Sequence, residues 1–205
     1  MKLYDYAPAP NPRRVNIFLA EKGIAVERVA IDMTKGEHKS PEFLNVYPAG
    51  KLPVLELDDG TIISESMAIC RYFDALHPEP NLFGVSPAEI GHIEMRNRQM
   101  ELELLGQVGA SWVNGPIVGK MDPSRVQFPA VKEQSDATVN RYYKRMDRDL
   151  AESDYIAGPR FTVADITALA VIDFAANLVR LKPAEELQNL WAWHKRVSAR
   201  PSANA

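Results

Sequence analysis

Two adjacent polar residues, Glu65 and Ser66, stand where an apolar strand pattern ends and a helical pattern begins. The free N–H groups at a helix N-terminus and the positive end of the helix dipole favour a negatively charged ligand there. The same position also suits simple capping of the helix by Ser64 or Ser66. The sequence therefore predicts an anion-binding site or a capped helix end at this junction, and the two roles are compatible.

The elements that position this junction alternate between short strands and helices over the first eighty residues. The Asp59-Gly60 pair is typical of a tight hairpin between two strands. Val15, Phe18 and Leu19 recur at helical spacing in a helix that Gly23 is expected to close. Strands are predicted at residues 2–6, 26–32, 53–57 and 61–64, with a helix before Gly23, one helical turn at 41–44 and a helix at 65–76.

The pattern changes after residue 77. Pro78, Pro80, Gly84 and Pro87 fall close together, which is typical of a linker. Beyond them only long amphipathic patterns appear, at residues 88–118, 127–152, 162–178 and 184–200. The sequence therefore predicts an α/β plus all-α protein: a thioredoxin-like domain over residues 1–77, a linker over 78–87 and an all-helical domain over 88–205.

Composition narrows the possible functions. The net charge of −3 and the interleaving of basic with acidic residues argue against a nucleic-acid partner. A single cysteine, Cys70, allows no internal disulfide, and the four histidines lack the spacing of metal ligands. No stretch approaches the roughly 20 apolar residues of a membrane span, and no signal peptide is recognisable. We expect a cytoplasmic protein without a metal or a membrane partner.

Four stretches in this order and spacing resemble the cytosolic glutathione transferases over nearly the whole chain. The resemblance implies glutathione as co-substrate, a pocket for an electrophile formed by the helical domain, a homodimer and a role in detoxification. The last stretch also has the spacing of a helix capping box, to which the resemblance gives a role in folding. The stretches are residues 7–15, Gly50-Lys-Leu-Pro-Val54, Ser64-Glu-Ser-Met-Ala-Ile69 and Phe161-Thr-Val-Ala-Asp165.

The resemblance assigns roles to the strand–helix junction at Glu65 and Ser66 and to Leu52 and Pro53 before the hairpin. Pro53 would be a cis-proline that lets the backbone of Leu52 pair with the cysteinyl part of glutathione; otherwise it is a strand-start proline. Ser66 would bind the γ-glutamyl carboxylate, and Glu65 would face the ammonium group.

Two further residues, Lys51 and His38, are implied contacts for carboxylates of the tripeptide. Lys51 offers a point charge directly before Leu52, although a solvated lysine is the alternative. His38 lies where relatives often place a group that reaches the glycyl carboxylate, and a surface histidine is the alternative. The sequence leaves both pairs of alternatives open.

The position that activates the thiol departs from many relatives. Ala9 stands where they carry Ser or Cys, so a mixed disulfide at this position is excluded. The nearest polar side chain is Asn11, which resembles the bacterial Nu-type enzymes in which an Asn donates to the thiolate, although their usual Thr is absent here. The alternative is that Asn11 only N-caps the first helix, with Pro12 at its first position. Tyr6, at the end of the first strand, is a weaker candidate for this thiol-activating role and for the substrate pocket, and a core aromatic residue is the alternative.

Trp112 is the candidate wall of the electrophile pocket, and packing within the helical domain is the alternative. A thiolate positioned in this way would attack an electrophilic carbon or a disulfide sulfur, and Asn11 favours the disulfide. The alternative function is a non-catalytic module that binds glutathione or another ligand.

Overall fold

The computed structural model describes residues 1–205 and divides them into two compact units. One is Met1–Asn81 together with Pro201–Ala205, and the other is Leu82–Arg200. This division differs from the expected boundaries, which assigned the last residues to the helical domain. A short 3₁₀ turn at Pro201–Asn204 instead packs on the first helix, where Arg13 Nη2 donates to the Ala203 carbonyl at 3.3 Å.

The first unit is built on a four-stranded sheet with the order β2-β1-β3-β4. Strands β1 and β2 are parallel, whereas the β1–β3 and β3–β4 pairs are antiparallel. The predicted thioredoxin-like arrangement is therefore confirmed. The elements are β1 (Lys2–Asp5), α1 (Pro10–Lys22), β2 (Glu27–Ala30), α2 (Pro41–Val46), β3 (Val54–Glu56), β4 (Ile62–Ser64) and α3 (Ser66–Leu76).

Helix α1 follows the sequence pattern closely. Its predicted apolar face, Val15, Phe18 and Leu19, is buried. Gly23 ends the helix in the left-handed conformation, with φ 64°, which glycine adopts without a steric penalty. The N-terminus of α1 lies in the same unit as the β3–β4 hairpin.

The regular secondary structure of the second unit is helical, but its first amphipathic pattern is not one helix. A π-helical segment, Met100–Leu105, interrupts it, and the regular helix ends at Val113. Pro116 starts a new short helix, because proline cannot continue the preceding one. The helices are α4 (Pro87–Gln99), α5 (Gly106–Val113), α6 (Pro116–Met121), α7 (Pro129–Asp149), α8 (Val163–Phe174), which continues as a π segment (Ala175–Val179), and α9 (Gln188–Ser198).

The predicted capping box begins α8. Asp165 Oδ2 accepts from the Thr162 N–H at 2.9 Å and from the Thr162 hydroxyl at 3.1 Å. Its other oxygen accepts from the Ile156 N–H at 2.9 Å and from Trp193 Nε1 at 2.8 Å. Asp165 is fully buried, so this single carboxylate connects the start of α8 with a loop and with α9.

None of the helices combines the length and the apolar character that a membrane crossing requires.

Candidate active site

A cleft of about 110 Å³ in the first unit brings most of the predicted site residues together. Drug-sized ligands usually occupy about 300–1,000 Å³, so this cleft has room for part of an extended ligand. Two lining residues, Tyr47 and Ser64, were not among the predicted site residues. The cleft is lined by Asn11, Tyr47, Lys51, Leu52, Pro53, Ser64, Glu65 and Ser66.

The wall contributed by Leu52 and Pro53 is buried and precedes β3. The peptide bond between these residues is cis. Leu52 packs with Phe43 and Val54 in an apolar cluster beneath the cleft. The hydrophobic core therefore fixes this wall from behind.

The opposite wall is the junction of β4 and α3. Glu65 has φ 68° and ψ 119°, a strained conformation for a residue other than glycine. It occupies the N-cap position of α3, and no side chain caps the helix. The interpretation of Ser64 or Ser66 as a simple helix cap is therefore wrong.

An uncapped helix start leaves donors available at the cleft. The Ile69 N–H donates to the Glu65 carbonyl at 3.0 Å, so the N–H groups before Ile69 in α3 have no partner within the helix. Ser66, the first residue of α3, is 3% exposed and lines the cleft. This combination suits a carboxylate ligand, and the neighbouring Glu65 carboxylate suits a cationic group beside it.

The third wall is the start of α1, where the structure corrects the alternative interpretation of Asn11. The N-cap residue is Ala9, and the helix begins at Pro10 without a side-chain cap. Asn11 therefore does not cap the helix. Its Oδ1 instead accepts a hydrogen bond from Arg14 Nη2 at 2.7 Å.

Main-chain donors are scarce at this helix start. Pro10 and Pro12 have no N–H group. The Ala9 N–H donates to the Tyr6 carbonyl at 3.0 Å, and the Arg13 N–H donates to the Ala9 carbonyl at 3.1 Å. Asn11 is thus the residue at this end of α1 that still offers donors, from its backbone and from its side-chain amide.

Lys51 is exposed at the rim of the cleft, and a tightly folded loop presents it. Gly50 has φ 58°, and a Cβ atom at this position would lie 2.7 Å from the His38 carbonyl oxygen. Lys39 Nζ donates to the Gly50 carbonyl at 3.3 Å. The loop is therefore held against the turn that contains His38.

His38 itself does not line the cleft. Its Nδ1 is buried without a hydrogen-bond partner. Burial, and secondarily the nearby charge of Lys39, lowers the pKa of His38 below its ordinary value of 6.5. The ring is consequently neutral at pH 7, which weakens it as a partner for a carboxylate.

The remaining predicted pocket residues lie elsewhere. Tyr6 packs partly buried against the Phe43 cluster and lines a separate groove of about 480 Å³ with Ala7 and Pro8. In the second unit, Trp112 packs edge-to-face on Phe174, with ring centroids 5.3 Å apart. Ala9 contributes no functional group beyond its backbone.

Of the two lining residues that were not predicted, only Ser64 could have been found from the hairpin. The predicted turn places Val54 opposite Ser64, a register that the structure has, and Val54 follows Pro53 directly. Ser64 was therefore identifiable as a neighbour of the Pro53 wall. Tyr47 follows α2 and carries no local signal, because its position depends on how α2 packs.

The structure contains no group of three or more His, Cys, Asp or Glu side chains arranged to hold a metal ion.

Comparison with known proteins gives a consistent picture. Residues 1–75 match the family described as "Glutathione S-transferase, N-terminal domain", and residues 114–201 match "Glutathione S-transferase, C-terminal domain". The chain is 43% identical over 206 residues to "Glutathione S-transferase 2" of Saccharomyces cerevisiae. The alignment covers 98% of this chain and 87% of the relative.

Solved structures of two relatives have a similar fold over at least 98% of this chain. Gtt2 from Saccharomyces cerevisiae superposes with a TM-score of 0.90 at 41% identity, covering 100% of this chain and 99% of that one. A glutathione S-transferase of class Gtt2 from Vibrio parahaemolyticus gives a TM-score of 0.85 at 38% identity, with coverages of 98% and 94%.

Proposed function

The chain belongs to the glutathione S-transferase family, and we propose that the cleft between α1, α3 and the Leu52–Pro53 wall is its glutathione site. The protein is accordingly a glutathione transferase enzyme. Its 43% identity to a curated transferase favours catalysis over the alternative of a non-catalytic binding module.

The uncapped start of α3 is the observation that carries this assignment. Ser66 would bind the γ-glutamyl carboxylate through its hydroxyl and the free N–H groups of the helix, and Glu65 would pair with the ammonium group. The strained backbone at Glu65 is typical of a functional site. The backbone of Leu52 would hold the cysteinyl part, and Lys51 at the rim would meet a carboxylate.

Activation of the thiol is assigned to Asn11. Ala9 offers no side-chain donor, and the prolines on both sides of Asn11 lack N–H groups. The Asn11 amide would therefore supply the side-chain hydrogen bond that stabilises a thiolate beside the N-terminus of α1. This arrangement is similar to the Nu-type enzymes, with the amide as the donor and no accompanying Thr.

The reaction follows from an activated thiolate. The thiol of bound glutathione releases its proton to solvent, and the thiolate sulfur then forms a bond to an electrophilic carbon while the leaving group departs with the bonding electron pair. With a mixed disulfide, the thiolate instead attacks one sulfur and displaces the other as a thiolate. The resemblance to the Nu-type enzymes favours the disulfide, and parallel assays with an aryl halide and a glutathione mixed disulfide distinguish the two reactions.

Glutathione binding to the Ser66→Ala variant tests the site. We expect calorimetry to show an affinity loss of about 1–3 kcal/mol, because the variant removes a hydrogen bond to a charged group. Ser86 is a matched control, since its Oγ caps α4 in the second unit and accepts from the Glu89 N–H at 3.2 Å. Ser86→Ala should lower thermal stability without weakening binding. Equal affinities for wild type and Ser66→Ala would contradict the site.

We also propose a homodimer. The second unit exposes large apolar side chains along α4 and the following π segment, with Ile90 at 38%, Met95 at 47% and Leu102 at 63% exposure. Stable interfaces bury such side chains. Sedimentation at micromolar concentration should give twice the chain mass of 22.9 kDa, and Leu102→Glu should shift the protein towards monomer. A monomeric wild type would contradict the proposal.

A further inference from the structure

We infer that Arg14 is a positioning residue for Asn11: its guanidinium holds the Asn11 side-chain oxygen, which leaves the amide hydrogens for the cleft. The inference rests on the proposed role of Asn11 as a donor to the glutathione thiolate, and it assigns a function to a second residue of α1 that does not line the cleft.

The chemistry of the pair fixes the orientation of the amide. A guanidinium group carries only donors, so the Asn11 atom that faces Arg14 at 2.7 Å has to be the carbonyl oxygen. The two ends of an Asn amide have nearly the same size and shape, so their hydrogen-bond partners decide which way the amide points. A short hydrogen bond from a charged donor is also stronger than a neutral one. The Nδ2 hydrogens of Asn11 are thereby left for other acceptors.

The surroundings keep this contact in place. Arg14 is 3% exposed and lies one helical turn beyond Asn11, a spacing at which side chains meet on the surface of a helix. Moving a buried guanidinium away from its acceptors is strongly unfavourable. The orientation of Asn11 is therefore set before any ligand binds.

Orientation is decisive because the amide has two opposite ends. An Nδ2 hydrogen stabilises a thiolate, whereas the Oδ1 atom repels it. Ala9, Pro10 and Pro12 provide no alternative donor at this end of α1. If Arg14 were absent, the amide could turn its oxygen to the thiolate, and part of the pKa depression would be lost.

Arg13 provides a matched control. It is adjacent in sequence and has the same charge, but its Nη2 donates to the Ala203 carbonyl at 3.3 Å. Replacing either arginine with Met removes one positive charge near the start of α1. Only the replacement of Arg14 removes the contact with Asn11.

The test is ultraviolet titration of the thiolate of bound glutathione in wild type, Arg14→Met, Arg13→Met, Asn11→Ala and the double variant Asn11→Ala/Arg14→Met. A hydrogen bond to an anion corresponds to about one to two pKa units. We expect Asn11→Ala to raise the thiol pKa by that amount, and Arg14→Met to raise it by about one unit. Arg13→Met should leave the thiol pKa unchanged. In the Asn11→Ala background, Arg14→Met should have no further effect.

Three results overturn the inference. If the Arg14→Met shift persists in the Asn11→Ala background, the charge of Arg14 acts directly on the thiolate. If Asn11→Ala raises the pKa but Arg14→Met does not, Asn11 is oriented without Arg14, and the proposed function stands. If Asn11→Ala itself has no effect, the proposed activation by Asn11 fails, and the role of Arg14 fails with it.

A crystal structure of the wild-type protein with glutathione gives a second measurement that does not depend on the folding of a variant. We expect Asn11 Nδ2 within hydrogen-bonding distance of the glutathione sulfur while Oδ1 remains on Arg14. A sulfur contacted by Oδ1, or an Asn11 amide that has left Arg14, overturns the inference.

Discussion

The Tyr47 hydroxyl donates a hydrogen bond to Ser64 Oγ at 3.0 Å, and this contact connects the end of α2 with the residue that precedes Glu65. Both residues line the cleft. Ser64 also pairs with Val54 across the β3–β4 hairpin. The hydrogen bond thus restrains Ser64, which directly precedes the strained residue Glu65.

Replacing Tyr47 with Phe should weaken glutathione binding by about 2- to 10-fold, which corresponds to the loss of one neutral hydrogen bond. Isothermal titration calorimetry measures this effect. The control is Tyr72→Phe. Tyr72 does not line the cleft, and its hydroxyl lies 3.5 Å from Met1 Sδ. Equal losses in both variants would show that the effect is not specific to the junction.

Gly50→Ala should distort the loop that carries Lys51 and Leu52. The added Cβ would lie 2.7 Å from the His38 carbonyl oxygen, and the positive φ of 58° adds strain. Gly23→Ala is the matched control, because Gly23 has a similar φ of 64° but nothing within 4 Å of the added atom.

Chemical denaturation should show that Gly50→Ala lowers the free energy of unfolding by about 1–3 kcal/mol more than Gly23→Ala does. Only Gly50→Ala should also weaken glutathione binding. A larger or equal loss of stability in Gly23→Ala would mean that the loop adapts to the added methyl group.

The stability of the protein should depend on the protonation of His38. Burial lowers the pKa of its ring below the ordinary value of 6.5, so the unfolded chain binds a proton more readily than the folded chain. This contribution to stability is fully present above about pH 6.5 and is lost as the pH falls through the lower folded pKa.

Melting temperatures between pH 5 and pH 7.5 test this dependence in wild type and His38→Gln. The melting temperature should fall less steeply towards acid pH in His38→Gln than in wild type. His92→Gln, at an exposed position in α4, should keep the wild-type slope. An unchanged slope in His38→Gln would assign the acid sensitivity to other groups.

Asp165→Ala should destabilise the second unit by roughly 3–5 kcal/mol, because it leaves buried donors of Ile156, Thr162 and Trp193 without an acceptor. Denaturant unfolding monitored by tryptophan fluorescence provides the measurement. Asp149→Ala is the comparison, since its ion pair with Arg96 at 2.9 Å is partly exposed and should contribute only about 0–1 kcal/mol. Similar losses in the two variants would argue against a central role for Asp165.

The parts of the fold that sequence reasoning predicted are those with strong local causes. Asp59-Gly60 set the hairpin, Gly23 ended α1, and the Thr162–Asp165 spacing gave the capping box. The error at residues 88–118 has a different origin. Apolar residues continue through the π segment at Met100–Leu105, and residue type alone does not reveal a change from α- to π-type backbone hydrogen bonding.

The candidate site was predictable only in part for a similar reason. Glu65, Ser66 and Pro53 lie at element boundaries, where residue type and backbone conformation are linked. The contact between Asn11 and Arg14 depends on rotamers, and that between Tyr47 and Ser64 depends on packing between elements that are distant in sequence. His38 was predicted from its position in a polar segment, but it does not line the cleft and its Nδ1 is buried.

The return of Pro201–Ala205 to the first unit has a consequence for biosynthesis. The hydroxyl of Ser202 bonds to Glu21 of α1, and Arg13 bonds to Ala203, so the first unit lacks part of its packing until residues 201–205 have been made. At about 5–20 residues per second, translation of residues 82–200 takes roughly 6–24 seconds. During that interval the surface of α1 that these residues cover stays open on the ribosome, and a chaperone that binds nascent chains would have access to it.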